Sequence, residues 1–168
     1  MLLLIVGAPV VIYVALASIY GRAGLLERAF GPMDRAPVDF STLELKASPN
    51  QYLVCPRELC VAQPHAPSPV FDASLEELRA AWFRVIERQA RVTLLSSDSN
   101  EDQYEYEALT PVIHFPDTVT LRLLPANDGR STIAIYSRSH YGHGDLGVNR
   151  RRIQGWLDEL AQELATGR

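Results

Sequence analysis

The first twenty residues form an uninterrupted apolar run, MLLLIVGAPVVIYVALASIY, without a single charged side chain. At about 1.5 Å per helical residue, a run of this length covers the roughly 30 Å hydrocarbon core of a bilayer. Pro9 removes one helical hydrogen bond, which membrane helices tolerate where neighbouring groups satisfy the backbone. The sequence therefore predicts a transmembrane anchor helix with a juxtamembrane extension at residues 1–30, followed by a soluble domain at residues 31–168.

A cleaved signal peptide is the alternative interpretation of this run. Ala15-Leu16-Ala17 fits the small-residue pattern of a cleavage site, but no positively charged segment precedes the apolar stretch. We therefore expect the anchor to be retained. Ala17 and Gly21 are small residues four positions apart, a spacing that lets a second membrane helix approach closely. They are candidate residues for docking within the membrane.

The orientation of the anchor is contested within the sequence. Arg22, Arg28 and Arg35 follow the span, and the positive-inside rule would place the domain in the cytoplasm. Cys55 and Cys60 are the only two cysteines, and their even count and short spacing are typical of a disulfide in an oxidising compartment. Giving more weight to the cysteines, we predict a single-pass protein of the inner (cytoplasmic) membrane whose domain is periplasmic or lumenal.

The composition of the soluble part narrows the possible partners. The formal net charge is -4, the sequence pI is near 5.5, and no lysine-rich or arginine-rich tract spans the domain. A nucleic-acid partner is therefore not expected. A domain of about 130 residues buries well over half of its unfolded surface, so neither a metal nor a disulfide is needed for folding, and no cofactor is expected.

Two amphipathic helices are predicted from the spacing of apolar residues. Ser74 and Glu77 form a capping box ahead of the first helix, which carries Leu78, Trp82 and Val85 on one face. The second runs from about residue 149 to 165. Its apolar stripe consists of Ile153, Trp156, Leu157, Leu160 and Leu164.

Strands are predicted between these helices. Tyr104, Tyr106 and Ala108 alternate with polar residues, and Asn127-Asp128-Gly129 marks the turn of a hairpin that continues into residues 131–139. The order of elements predicts a two-layer α+β domain, in which an antiparallel sheet of three to five strands packs against both helices. The other sheet face is then available, as a groove or contact surface if Tyr104 or Tyr106 lies there.

The densest group of polar side chains lies between the last strand and the last helix. The candidate residues are Ser137, Arg138, Ser139, His140, Asp145, Asn149 and Arg151. In a structural role, Asp145 or Asn149 caps the helix and Arg138 or Arg151 pairs with Asp145. In a functional role, the same loop binds a phosphate or carboxylate at the helix N-terminus.

Catalytic interpretations of this loop find little support. The glycine spacing is neither a P-loop nor a dinucleotide-binding motif, and the histidines and cysteines lack a recognised zinc-ligand spacing. Ser137 and Ser139 adjoin His140, but no G-x-S-x-G elbow is present. We predict no catalytic residues and no metal ligands.

Several short motifs resemble the bacterial and chloroplast family known as domain of unknown function number 1499. They are Ser48-Pro49-Asn50, Phe115-Pro116-Asp117, Ser131-Thr132, Ile135-Tyr136-Ser137-Arg138-Ser139, Gly142, Asp145-Leu146-Gly147-Val148-Asn149-Arg150, Arg152 and Trp156-Leu157. The resemblance covers roughly residues 40–162. It implies a membrane-associated or exported protein, and it implies no known activity.

Three functions remain open at this stage. The leading hypothesis is a non-enzymatic, membrane-anchored extracytoplasmic subunit that docks on a larger membrane protein complex, such as a respiratory or photosynthetic one, as an accessory or assembly factor. The second is a lipid-binding or small-anion-binding module that uses the loop at residues 137–152. The third is an uncharacterised enzyme, for which a raised pKa at Asp145 would be the first indication.

Overall fold

The computed structural model describes residues 24–111 and 114–167, which belong to two compact units, Met1–Arg35 and Ala36–Arg168. In the first unit, residues 24–30 are helical, and the Gly31 amide donates to the Glu27 carbonyl at 2.8 Å. None of the helices within the described ranges has both the length and the apolar character needed to cross a membrane. The predicted span at residues 1–20, which includes Ala17, lies outside the described residues. Gly21 lies outside them as well.

The second unit is an α+β domain, as predicted. Its elements are β1 (Gln51–Cys55), β2 (Ala66–Pro67), β3 (Val70–Phe71), α1 (Leu75–Glu87), β4 (Val92–Asp98), β5 (Gln103–Leu109), β6 (Pro116–Pro125), β7 (Ser131–Ser139) and α2 (Val148–Thr166). The strands form one seven-stranded sheet in the order β2-β1-β7-β6-β5-β4, with β3 also pairing with β7. All pairs are antiparallel except β1 with β2.

The sheet is larger than the predicted three to five strands. The two additional strands, β2 and β3, contain only two residues each and lie in the proline-rich segment after β1. Strands this short show no alternation of apolar and polar residues, so a periodicity argument misses them. They are defined by their pairing, β2 with the preceding strand β1 and β3 with the distant strand β7.

Both helices pack on one face of the sheet, where they build the main core. The capping box at Ser74 and Glu77 is present at the start of α1, and β5 alternates buried and half-buried residues as predicted. Large fully buried side chains of this core are Leu78, Trp82, Tyr106, Leu121, Leu123, Ile133, Ile135, Ile153 and Leu160. Tyr104 and Tyr106 therefore lie on the face covered by the helices.

An aromatic cluster joins the two helices to the sheet. The Trp82 ring lies edge-on to Trp156, with centroids 5.9 Å apart, and the Trp82 indole N–H donates to the Tyr106 hydroxyl at 2.9 Å. Burial raises the pKa of Tyr106 to about 12, so the phenol stays neutral over the physiological range. This bond satisfies two polar groups that have no access to water.

We expect Trp82→Phe to lower the free energy of unfolding by about 2–4 kcal/mol, because it removes ring contacts and leaves the Tyr106 hydroxyl without its indole donor. Thermal unfolding of the full chain in mild detergent, followed by Trp156 fluorescence, measures the loss. The double variant Trp82→Phe/Tyr106→Phe leaves neither group unsatisfied and should lose less than the sum of the single changes. Strict additivity would contradict this role for the bond.

The second sheet face is covered in part, which corrects the expectation that it is available. Residues 38–45 and 55–62 lie against it and form a second apolar cluster, in which Phe40 packs with Leu53 and Tyr136. The Gln103 side-chain amide donates to the Val38 carbonyl at 2.9 Å and fixes the segment there. The apolar residues of this segment are removed from water when they pack on the sheet. This explains why the segment covers the face that was predicted to be open.

A disulfide between Cys55 and Cys60 is present, as predicted. Cys55 ends β1 and is fully buried in the second apolar cluster, while Cys60 packs at its margin. The bond closes a short loop that runs through Pro56 and covers one end of the second sheet face. A disulfide in this position restricts the unfolded chain and holds the loop on the sheet.

Candidate functional site

The loop between β7 and α2 is organised by Asp145. One carboxylate oxygen accepts the Gly147 amide at 2.9 Å, and the other accepts the Asn149 amide at 2.7 Å. These amides belong to the first turn of α2, whose N–H groups have no partner within the helix. Asp145 therefore supplies the negative charge that a helix N-terminus attracts.

Beneath the loop lies a cluster of buried polar side chains. The Arg152 guanidinium donates to the Asp117 carboxylate at 2.6 Å, to the Ser137 hydroxyl at 2.9 Å and to the Asn149 side-chain oxygen at 2.8 Å. Asp117 is only 1% exposed, and Asn149 is fully buried. Buried charges are stable only when they are paired and hydrogen-bonded, so this cluster holds α2 against β6 and β7.

Asn149 also connects the cluster to β1. Its side-chain amide donates to the Asn50 carbonyl and to the Ser139 hydroxyl, both at 3.0 Å. The side-chain amide of Asn50 in turn donates to the Gly142 carbonyl at 2.7 Å. The start of β1, the end of β7 and the glycine-rich loop are thereby held in one arrangement.

The electrostatics of the cluster depend on one ion pair. Burial raises the pKa of the Asp117 carboxyl, and the nearby positive charge of Arg152 opposes that shift. The salt bridge between the two is almost fully shielded from solvent. Removing either partner would leave the other buried without its counter-charge.

The remaining predicted residues are engaged in the fold. The buried Arg138 donates to the Ala36 carbonyl at 3.1 Å, and its guanidinium lies 5.8 Å from the Tyr136 ring centroid. The His140 ring is hydrogen-bonded to the Thr118 hydroxyl. The exposed Arg151 donates to the Leu146 carbonyl at 2.9 Å. These contacts give each of the three a structural role.

Leu146 combines an exposed apolar side chain with a left-handed backbone conformation. Its side chain is 92% exposed, and its backbone adopts a positive φ of 52°. The left-handed region costs a bulky L-residue roughly 1–2 kcal/mol, and such strain is concentrated at functional sites. The carbonyl of Leu146 is held by Arg151, and the flanking residues Asp145 and Gly147 are fixed by the helix cap. The loop therefore presents an apolar side chain to solvent on a rigid support.

An open cleft of about 580 Å³ adjoins Leu146. It is lined by Pro49, Tyr52, His65 and Arg150, together with the loop itself. The Leu53 amide donates to Nδ1 of His65, so the neutral ring carries its proton on Nε2. Burial lowers the pKa of His65, which keeps the ring neutral at physiological pH. The cleft thus offers apolar surface and one exposed cation, Arg150.

No arrangement typical of catalysis stands out in this region. Within residues 24–111 and 114–167, no group of three or more His, Cys, Asp or Glu side chains is placed to hold a metal ion. The carboxyl group with a raised pKa in the cluster, Asp117, is shielded from solvent and cannot reach a substrate.

The family model described as "Protein of unknown function (DUF1499)" matches residues 36–160, most of the chain. The chain belongs to the DUF1499 family. Among solved structures, a protein from Nitrosospira multiformis is similar, with 17% identity and a TM-score of 0.46 over 58% of this chain and 92% of that one. A search of curated proteins found no match.

The DUF1499 domain uses residues that the site prediction left out. Asp117, Arg152 and Asn50 belong to the motifs that carry the family resemblance, but only their partners Ser137, Ser139 and Asn149 are among the predicted site residues. Their membership of those motifs was the available signal. Leu146 also belongs to one of these motifs, Asp145-Leu146-Gly147-Val148-Asn149-Arg150. Its position between Asp145 and Gly147 does not indicate that its side chain is exposed.

Proposed function

We propose that this DUF1499 protein is a membrane-anchored extracytoplasmic accessory or assembly subunit, which docks without catalysis on a larger membrane protein complex. The observation that carries the proposal is the exposure of Leu146 on strained backbone. An exposed apolar side chain held rigidly can enter a pocket of a partner with little loss of conformational entropy. The partner is therefore expected to present an apolar pocket to this loop.

The buried cluster supports this proposal because it makes the loop rigid. Asn149 and Asp145 tie the loop to β1 and α2, so the position of Leu146 is set before any partner binds. Binding surfaces that are formed in advance avoid the cost of ordering flexible residues. A loop whose only task was to connect β7 with α2 would have no need of a strained leucine.

The proposed compartment and the proposed membrane anchor are supported by two separate features. The apolar run at residues 1–20 supports a membrane anchor, and the disulfide between Cys55 and Cys60 supports an oxidising compartment. Together they favour a periplasmic or lumenal domain tethered at the membrane surface. A tether raises the local concentration of the domain near membrane partners, so a small contact around Leu146 suffices for association.

Binding of a small anion or lipid headgroup is the second candidate, supported by the position of Arg150 in the cleft. The N-terminus of α2 is not available for this purpose in its present form, because the carboxylate of Asp145 already accepts its amides. Arg138 is buried, and Arg151 is bonded to the Leu146 carbonyl. The anion hypothesis therefore depends on Arg150 and His65 instead of Arg138 and Arg151.

Co-purification tests the docking proposal. Full-length protein extracted from its native membrane in mild detergent should elute with a larger complex, in a fixed ratio to the other subunits, at a mass well above that of two copies of the chain. Recovery only as free protein after gentle extraction would contradict docking. Inorganic phosphate, titrated into detergent-solubilised wild type and Arg150→Ala, tests the second candidate, which predicts binding that the substitution weakens.

A further inference from the structure

A crevice of about 300 Å³ lies between the first turns of α2, the turn that follows α1, and strands β4 and β5. Its apolar lining includes Val92, Ala108, Val148 and Trp156, of which Ala108 and Trp156 are buried. It shares no lining residue with the cleft beside Leu146. Small-molecule sites typically combine an apolar lining with a few polar groups, and this volume is at the lower end of their range.

The charged side chains that line the crevice are all arginines. The charge of Arg152 is balanced by the buried Asp117, so the excess positive charge comes from Arg91 and Arg151, which are both exposed. Neither of these two forms an ion pair with a carboxylate of residues 24–111 or 114–167. In a chain with a net charge of -4, this is a local reversal of sign. A recess lined by one sign of charge attracts ligands of the opposite sign.

The turn that carries Arg91 is fixed to its neighbours. The Arg91 carbonyl accepts the Leu109 amide at 3.0 Å. The side chain of Gln89, two residues earlier, accepts the Trp156 indole N–H at 3.0 Å and donates to the Glu159 carboxylate at 2.7 Å. These bonds hold the turn against β5 and α2, so the two sides of the crevice are in place before a ligand binds, which lowers the entropic cost of binding.

The two exposed arginines select the kind of anion. Arg151 uses one guanidinium nitrogen, Nη1, for the Leu146 carbonyl, and a guanidinium carries five N–H donors in all. Arg91 and Arg151 belong to different elements, so they approach a ligand from different directions. A phosphate monoester offers three acceptor oxygens that point in different directions, whereas the two oxygens of a carboxylate lie in one plane. Phosphate therefore suits this pair of arginines better.

We propose that the crevice binds a phosphate monoester with an apolar substituent. Arg91 and Arg151 hold the phosphate, and the substituent packs on the apolar lining between them. Soluble phosphate esters and the headgroup of phosphatidate share this chemistry. The site does not depend on the docking proposal, because it uses a separate surface of the domain.

Isothermal titration calorimetry of the full chain in an uncharged detergent tests the proposal, with phenyl phosphate as the probe. Phenyl phosphate should bind at least about tenfold more tightly than inorganic phosphate, because burial of the ring adds to the attraction between charges. Benzyl alcohol, which has the ring without the charge, should show no measurable binding. Equal affinities for phenyl phosphate and inorganic phosphate, or equal affinities for phenyl phosphate and benzyl alcohol, would overturn the proposal.

Substitutions locate the site of binding. Arg91→Gln should weaken phenyl phosphate binding about fivefold or more, and Arg91→Lys, which keeps the charge, should weaken it less. Arg57→Gln removes an exposed arginine from the disulfide loop and is the matched control, whose affinity should equal that of wild type. The proposal is wrong if Arg91→Gln binds like wild type, if Arg57→Gln loses as much, or if only Arg150→Ala loses affinity. Because Arg91→Gln leaves Leu146 and Arg150 unchanged, its result is separable from those of the co-purification and the inorganic phosphate titration.

Reconstitution into bilayers distinguishes a soluble ligand from a lipid. Phosphatidate carries a phosphate monoester, so as the natural occupant it should weaken phenyl phosphate binding about threefold or more by competition. Bilayers with phosphatidylglycerol at the same surface charge are the control for electrostatic repulsion. The same affinity in both bilayers would assign the crevice to a soluble phosphate ester.

Discussion

Arg152→Met is expected to lower the free energy of unfolding by about 3–5 kcal/mol at neutral pH, the largest stability effect among the changes considered. Arg152 donates to Asp117, Ser137 and Asn149, and its methionine replacement keeps the length but none of the donors. The Asp117 carboxylate would then be buried without its counter-charge, a situation that typically costs this amount. Unfolding followed by tryptophan fluorescence measures it, because Trp82 and Trp156 both lie in the core.

The loss should depend on pH in a definite direction. Burial raises the folded-state pKa of Asp117 above its ordinary value, and the positive charge of Arg152 opposes that shift. A carboxyl whose pKa is raised by folding stabilises the fold at low pH and loses that contribution as pH rises through the folded-state pKa. Without Arg152 the shift grows, so the variant should recover stability relative to wild type as the pH falls from neutral towards 4.

Arg151→Met is the matched control. Arg151 lies on the same turn of α2 and is exposed, and it bonds one carbonyl oxygen, so its loss should cost less than about 1 kcal/mol at any pH. Equal effects of the two changes, or a loss at Arg152 that stays constant with pH, would contradict the role assigned to the ion pair. The double variant Arg152→Met/Asp117→Asn should regain part of the stability, because no charge is then left unpaired.

Leu146→Asn is expected to weaken docking at least thirtyfold while leaving the fold as stable as wild type or up to about 1 kcal/mol more stable. Asparagine adopts the left-handed region more readily than leucine, so the substitution relieves strain. The apolar contact is lost at the same time, and central apolar anchors commonly contribute 2 kcal/mol or more to binding. A substitution that raises the stability of the fold but weakens binding to the partner indicates a residue that is retained for function.

Much of the fold follows from local signals in the sequence. Ser74 and Glu77 form the predicted capping box, and Asn127-Asp128-Gly129 joins β6 to β7 as predicted, because both features are decided by neighbouring residues. The coverage of the second sheet face could not be predicted in the same way. It depends on contacts between residues 38–45 and strands far along the chain, and period-2 alternation does not specify what lies over a face.

In the candidate site, too, contacts between neighbouring residues could be predicted and long-range contacts could not. The role of Asp145 as a helix cap was one of the options considered, because a cap acts within four residues. The pairing of Asp117 with Arg152 joins residues 35 positions apart, and only the packing of α2 on β6 brings them together. The left-handed backbone of Leu146 lies between residues that the helix cap fixes, but no pattern of apolar and polar residues indicates it in the sequence.

Native electrophoresis of membranes in mild detergent tests the central claim most directly, with wild type, Leu146→Asn and Val61→Asn compared side by side. Val61 directly follows Cys60, is 78% exposed and serves as the matched apolar control. We expect wild type and Val61→Asn to migrate with a larger complex, and Leu146→Asn to migrate free of it although it unfolds at the wild-type temperature or above. Full retention of Leu146→Asn in the complex would contradict this claim.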